Sequence, residues 1–242
     1  TEVLGNTLSK IATEKAGIHR PGVPLLCLDH EDKGVRDAIE GVAGEDVAWV
    51  PRASEDAQEV ARSMAYVIGT RIGWKDMETD VVWPGRSMDR TNWSGAELVL
   101  SAAHNSESLS HDLGRLGSER HVLVVGMTQK EDLSESIEPL LRTEGRIRTI
   151  VTEVHGGRTP SVHAERLSES LSADSGEPPL IIKEPIEAID TASREASKEG
   201  CIVFVTGSVY LVGQAVEEMV SRENGNLWEY LEAHRPREQT EV

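Results

Sequence analysis

From residue 86 onward, short continuous apolar runs alternate with amphipathic stretches, and this alternation constrains the fold more than any other feature of the chain. The runs "ELVLSAA" (97–103), "HVLVVGM" (121–127), "TIVTEV" (149–154), "PLIIKEP" (179–185) and "CIVFVTG" (201–207) read as strands. Between and after them, 105–117, 131–144, 161–173, 187–200 and 212–223 carry apolar residues at helical spacing. A strand that is apolar at every position, not every second one, is buried on both faces. Such strands separated by helices make a mostly parallel sheet with helices on both sides. The sequence thus predicts an α/β, Rossmann-like domain over residues 86–242.

Residues 1–85 are less regular. "LGNTLSKIATEKAGIHRPGVP" (4–24) opens with a short helix that Asn6 or Thr7 can cap, Gly17 can end and Pro21 stops. Leu8, Ile11, Ala12 and Lys15 fall at i, i+3, i+4 and i+7, so they share one face, expected to point inward. A lysine there either lies with its stem packed and its head in water or has a specific task. Lys10 and Glu14, one turn apart, read as a surface pair. A strand at 23–29, the acidic stretch "HEDKGVRDAIEGVAGED", a strand "VAWVP" and a helix at 54–73 complete the region. They read as the end of another α/β domain, with the boundary near "VVWPGR" (81–86) and the polar tail "HRPREQTEV" expected to fray. The abrupt start, in a helix and without methionine, suggests part of a longer product.

The formal net charge of −17 over 242 residues argues against nucleic acid or an anionic membrane as a partner, because phosphates are repelled. Such acidity suits a high-salt habitat, although a GC-rich genome gives the same arginine-rich bias. No apolar run is long enough to span a bilayer. The two cysteines, Cys27 and Cys201, sit in apolar runs and read as small buried hydrophobes in a reducing, cytoplasmic setting.

Ligands of open α/β sheets bind at the carboxyl ends of the strands. One strand here ends in "SAAHNSES", where His104 and Asn105 open a helix, and Asn105 can cap it. Another ends in "VTGSVYLVG", where Gly207 allows close backbone approach and Ser208 offers a hydroxyl. Arg86 in "WPGR" could hold a phosphate or carboxylate through two parallel hydrogen bonds. "DHED" (29–32) and "HGGRTP" (155–160) read as solvated turns. Neither G-x-x-x-x-G-K-[ST] nor G-x-G-x-x-G occurs in these residues, so no nucleotide-binding phosphate loop is visible.

Taken together, "LGNTLSKIATEKAGIHRPGVP", "WPGR", "LVLSAAHNSES" and "VFVTGSVYLVG", with "VVGMTQKED", resemble the folylpolyglutamate synthase and dihydrofolate synthase family of Mur-type ligases. "IATEKAGI" is the most specific of these segments, and the resemblance covers the second half of a family enzyme. It implies that ATP phosphorylates a pterin-linked folate or pteroate carboxylate. The amine of glutamate then attacks the acyl phosphate and an amide forms. The resemblance assigns 1–85 to the C-terminal part of the central ATPase domain and 86–242 to the C-terminal Rossmann-like domain. ATP and Mg²⁺ are the implied cofactors, and an N-terminal P-loop domain, in cis or in trans, is the implied partner.

By the same resemblance Lys15 would be carbamylated, which turns an ammonium into an anionic oxygen ligand for Mg²⁺. His104 and Ser208 would hold glutamate, and Arg86, Ser101 and Asn105 would contact the nucleotide. The pattern departs at Ser101, since the family reads "DGAHN" where this chain reads "SAAHN". A hydroxyl does not replace an aspartate's charge there. The stretch between the first helix and "WPGR" is also shorter than usual for the family. The leading reading is the C-terminal portion of a folate-type amide ligase, inactive without its N-terminal part. The alternative is a non-catalytic binding or regulatory module derived from such a ligase.

Overall fold

The computed structural model describes residues 7–54, 56–74, 83–86, 88–130, 132–172, 177–223 and 225–233. The candidate cap Asn6 and the polar tail lie outside them. The chain divides into two compact units, Thr1–Val81 and Val82–Val242.

The first unit runs α1 (Leu8–Ala16), β1 (Leu25–Leu28), α2 (Lys33–Ala43), β2 (Val47–Val50) and α3 (Ala57–Arg71). Thr7 caps α1 by accepting the Lys10 N–H, and Asp32 and Asp56 cap α2 and α3 in the same way. β1 and β2 pair in parallel, Leu25 opposite Val47 through Leu28 opposite Val50. The Asp46 carboxylate joins the turn after α1 to the start of β2, accepting from Gly22 N and His19 Nε2, both at 2.9 Å.

The inward face expected of α1 is corrected here. Its buried residues are Ala12 and Ala16, whereas Leu8 is 57% exposed and Lys15 is exposed. α1 packs against α2, and small side chains permit the closest approach of two helices. The packed line therefore runs through the alanines, one position round from the line of Leu8 and Lys15. The acidic stretch, to which the sequence reading assigned no element, contains α2.

The second unit runs β3 (Asp89–Trp93), β4 (Ala96–Leu100), α4 (Ser106–Leu116), β5 (His121–Val125), α5 (Leu133–Leu141), β6 (Arg146–Val151), α6 (Ala164–Leu171), β7 (Leu180–Ile181), α7 (Pro185–Glu199), β8 (Ile202–Thr206), α8 (Val209–Arg222) and α9 (Leu227–Ala233). Its six strands lie in the order β3-β4-β8-β5-β6-β7. All neighbours are parallel except β3 with β4. That edge hairpin was not anticipated. It turns at Ser94 and Gly95, both at positive φ (51° and 89°), the backbone that matches the twist of two paired strands.

Alternate strand residues serve opposite faces. Leu98, Leu100, Val122, Val124, Val203 and Val205 pack with α7 and α8, while Val99, Leu123, Val125, Ile202 and Phe204 pack with α4, α5 and α6. Phe204 and Leu123 are fully buried, and each such side chain contributes about 1.5–3 kcal/mol. The α/β sandwich read from the apolar runs is the observed one.

His121, at the amino end of the central strand β5, is fully buried beside Phe204. Its Nδ1 donates to Glu119 O at 2.7 Å, and its Nε2 has no partner. Protonation would place a second N–H where nothing accepts it, so burial lowers the imidazole's pKa below its ordinary value of 6.5. The folded state then binds fewer protons than the unfolded state, and stability rises with pH through this range. Urea denaturation is expected to show stability falling as pH drops below about 6.5. The slope should flatten in His121→Gln, and an unchanged slope in that variant would refute the assignment.

Candidate functional site

β4 and β8 are neighbours in the sheet, yet α4 leaves β4 on one face and α8 leaves β8 on the other. That divergence opens a crevice at their carboxyl ends, where ligands of open α/β sheets bind. The two strand-end motifs noted in the sequence are thereby brought side by side.

Asn105 caps α4. Its Oδ1 accepts from Ser108 N and from Ser108 Oγ, both at 2.8 Å, and Ser108 Oγ accepts in turn from Asn105 N. Ser208 caps α8, its hydroxyl accepting from Tyr210 N at 3.2 Å, and is only 2% exposed. Two helix N-termini on adjacent strand ends favour an anion, which matters in a chain this acidic. Gly207 N donates to Ala103 O at 3.0 Å, so the two loops are bonded to each other. Gly207 has φ +101°, and a Cβ there would stand 2.7 Å from Gly126 O. Only glycine fits.

His104 is half-buried, and its Nδ1 lies 2.9 Å from Ala102 O. A carbonyl only accepts, so Nδ1 carries the proton and Nε2 is the nitrogen left for a ligand. Arg86 is exposed and forms no ion pair among the described residues. Its turn is tied to the same loop, because Ala102 N donates to Gly85 O at 2.7 Å. Four sequence candidates, Arg86, His104, Asn105 and Ser208, thus stand on one connected set of loops.

Ser101 does not join them at the surface. It is 0% exposed, and its hydroxyl is engaged by Asp112 Oδ2 (2.7 Å), Thr206 Oγ1 (3.0 Å) and Ala103 N (3.2 Å). All of these hydrogen bonds are internal, so the Ser101 hydroxyl lies beneath the loop that carries His104 and Asn105. Sequence reading missed Asp112 and Thr206. The available signal was a carboxylate at position 112 between Leu109 and Leu116 on the apolar face of α4. Lys130, in the loop after β5, was also passed over; it is half-buried, and burial lowers its ammonium pKa. Lys15 belongs to the first unit and is exposed there.

Among the described residues, Glu153, His163 and Glu165 form the one grouping close enough to hold a metal ion, with donor atoms within 4.8 Å of one another. A cation already stands there, since Lys183 Nζ is 2.8 Å from Glu165 and 3.6 Å from Glu153. Its hydrogen bond holds Glu165 below the ordinary carboxylate pKa. No described helix is long and apolar enough to cross a membrane.

A family model for the dihydrofolate synthetase C-terminal domain matches residues 86–218, more than half of the chain. The chain is 22% identical over 268 residues to the dihydrofolate synthetase of Saccharomyces cerevisiae, covering 87% of this chain and 61% of that protein. Among solved structures it is similar to Escherichia coli FolC in complex with DHPP and ADP, with a TM-score of 0.70 and 21% identity over 92% of this chain and 59% of that one. It is also similar to Mycobacterium tuberculosis folylpolyglutamate synthase complexed with ADP and AMPPCP, with a TM-score of 0.68 and 18% identity over 89% and 60%. A third likeness is to the Yersinia pestis bifunctional enzyme complexed with AMPPNP and Mn, with a TM-score of 0.65 and 18% identity over 90% and 58%. The chain thus spans about 60% of the length of the relatives it matches.

Gly207→Ala is expected to cost about 1–3 kcal/mol, because it combines a positive φ with a clash against backbone. Urea denaturation checks this, and a wild-type midpoint would contradict the close approach between the ends of β5 and β8.

Proposed function

The chain belongs to the dihydrofolate synthetase family, among the folylpolyglutamate and dihydrofolate synthases of Mur-ligase type, and on that premise we propose that it is the C-terminal portion of an ATP-dependent amide ligase. Its reaction joins the amine of glutamate to a folate or pteroate carboxylate through an acyl phosphate, in concert with an N-terminal P-loop part in cis or in trans. The observation that carries this reading is the pairing of β4 with β8, which sets His104 beside the α8 cap at a crevice between two helix N-termini.

In this reading the crevice holds glutamate. The Ser208 hydroxyl accepts the Tyr210 N–H and keeps its own proton to donate to a carboxylate. His104 presents Nε2 as the second polar contact. Residues 1–85 serve as the end of the ATPase domain and 86–242 as the domain that positions the amino acid. Catalysis of this type is largely placement and charge neutralisation, so the contribution of this chain is orientation of the amine.

The exposed Arg86 guanidinium and the Asn105 cap fit the phosphates of ATP. Mg²⁺ does not fit the described donors in the same way. The Glu153–His163–Glu165 grouping is neutralised by Lys183, and Lys15 as an ammonium offers a cation nothing. Lys15 becomes a ligand only as a carbamate, and its exposure leaves it open to CO₂. The burial of Ser101, where the family carries an aspartate, favours a second reading, a non-catalytic binding or regulatory module of ligase descent.

Calorimetric titration with glutamate tests the crevice. His104→Ala and Ser208→Ala are each expected to weaken binding at least about ten-fold, the loss of one buried or charge-assisted hydrogen bond. Unaltered binding in both would remove the site assignment. Phosphate release from ATP separates the two readings. The chain alone is expected to release none, and release on adding a family P-loop domain supports the ligase. Glutamate binding with no release under either condition supports the module.

A further inference from the structure

Asp112 has no place in the function described so far, yet it occupies an unusual position. On α4 the buried residues are Leu109, Asp112 and Leu116, so a carboxylate stands in the apolar line that faces the sheet. Its side chain is 11% exposed. A carboxylate so placed is costly unless its oxygens are bonded, and both are. Oδ2 accepts from Ser101 Oγ at 2.7 Å, and Oδ1 lies 3.2 Å from His111 Nδ1.

The carboxylate of Asp112 sets the direction of the bonds at Ser101. An ionised carboxylate only accepts, so the single hydroxyl proton of Ser101 goes to Asp112. Ser101 Oγ is then the acceptor for Ala103 N (3.2 Å) and for Thr206 Oγ1 (3.0 Å), the shorter of that hydroxyl's two contacts, the other being Ala103 O at 3.5 Å. Thr206 is the last residue of β8 and precedes Gly207, whose N–H bonds Ala103 O. Ala103 in turn lies between Ala102, whose carbonyl receives His104 Nδ1, and His104 itself. One carboxylate therefore sets the loop after β4, ties it to the loop after β8, and stands behind the imidazole's tautomer.

We infer that Asp112 is the positioning residue of the crevice. Through Ser101 and Thr206 it holds the two strand-end loops at a fixed separation and keeps His104 in the Nδ1–H form, so that Nε2 faces a ligand as an acceptor. Ser101 is the relay, and its burial is a requirement of that role. The part concerning glutamate rests on the crevice reading above, whereas the part concerning the His104 tautomer does not.

The test uses the full chain and three variants. Asp112→Leu suits a position between two leucines and removes the acceptor. Asp112→Asn keeps the shape and removes the obligate acceptor. The exchange Ser101→Asp with Asp112→Ser returns a carboxylate–hydroxyl pair in reverse order. Histidine-selective ¹⁵N NMR reads the tautomer, the His104 signal being the one lost in His104→Gln, and calorimetry reads glutamate affinity.

In Asp112→Leu the fold should persist by circular dichroism. The His104 signal should move toward the Nε2–H form that free imidazoles favour, and glutamate affinity should fall about ten-fold, as for loss of one positioned polar contact. The exchange variant should recover both. A folded Asp112→Leu with the wild-type His104 signal, or a folded exchange variant that recovers neither property, overturns the inference. Should Asp112→Leu fail to fold, the same readings on Asp112→Asn decide: a partial shift toward Nε2–H supports the role and an unchanged signal refutes it. A wild-type chain that does not bind glutamate removes the crevice reading alone, and the tautomer still decides the role of Asp112.

Discussion

The parallel pairing of β4 with β8 is the contact on which the rest of the C-terminal unit depends. It places Leu98 opposite Val203 and Leu100 opposite Val205. It also brings together Ser101 and Thr206, which are 105 residues apart in sequence. Because β8 is inserted between β4 and β5, the helices that follow β4 and β8 leave on opposite faces and their N-termini flank one crevice. Without that insertion the histidine and serine loops would lie at unrelated strand ends. Closing so long a loop has an entropic cost, which the fully apolar, two-faced strands offset by burial.

Charge follows the same geometry. A chain of net charge −17 repels anions at long range, so any anion it binds must be held by local charges and dipoles. The capped starts of α4 and α8 supply dipoles at the strand ends, and Arg86 supplies a charge on a turn bonded to the same loop. Elsewhere acidic groups are neutralised in place, as Lys183 does for Glu165 and Glu153, and Arg222 for Asp190 while its guanidinium stacks on Trp93. The buried Asp112 differs, since hydroxyl and imidazole partners, with no full ion pair, hold it.

Much of this was legible in the residues. Continuous apolar runs such as "HVLVV" specify strands buried on two faces, and the caps Thr7 and Asn105 mark helix starts, whereas α8 begins three residues earlier than read, with Ser208 as its cap. The failures have physical causes. The inward face of α1 was read as Leu8, Ile11, Ala12 and Lys15, but close helix packing selects small residues, and the buried pair is Ala12, from that face, with Ala16. β3 was missed because four of the five residues of "DRTNW" are polar and consecutive, so no apolar alternation marks it, although exposure alternates along the strand once it forms the sheet edge. α2 hid in a charged stretch whose buried residues, Val35 and Ala43, are few. The buried network around Ser101 was not legible because its hydrogen-bonding partners stand 11 and 105 residues away, beyond any local pattern.

The sequence by itself determined the buried strands of the second unit, most of its helices, the caps Thr7 and Asn105, the α/β class and the strand-end loops that carry polar residues, because these follow from period, propensity and local hydrogen bonding. Tertiary structure alone decided which strand ends became neighbours and which nitrogen of His104 is presented. It also decided that Ser101 lies beneath the crevice and not in it. Those outcomes depend on strand order and on buried bonds between distant residues, and a linear pattern holds no record of either until the sheet has closed.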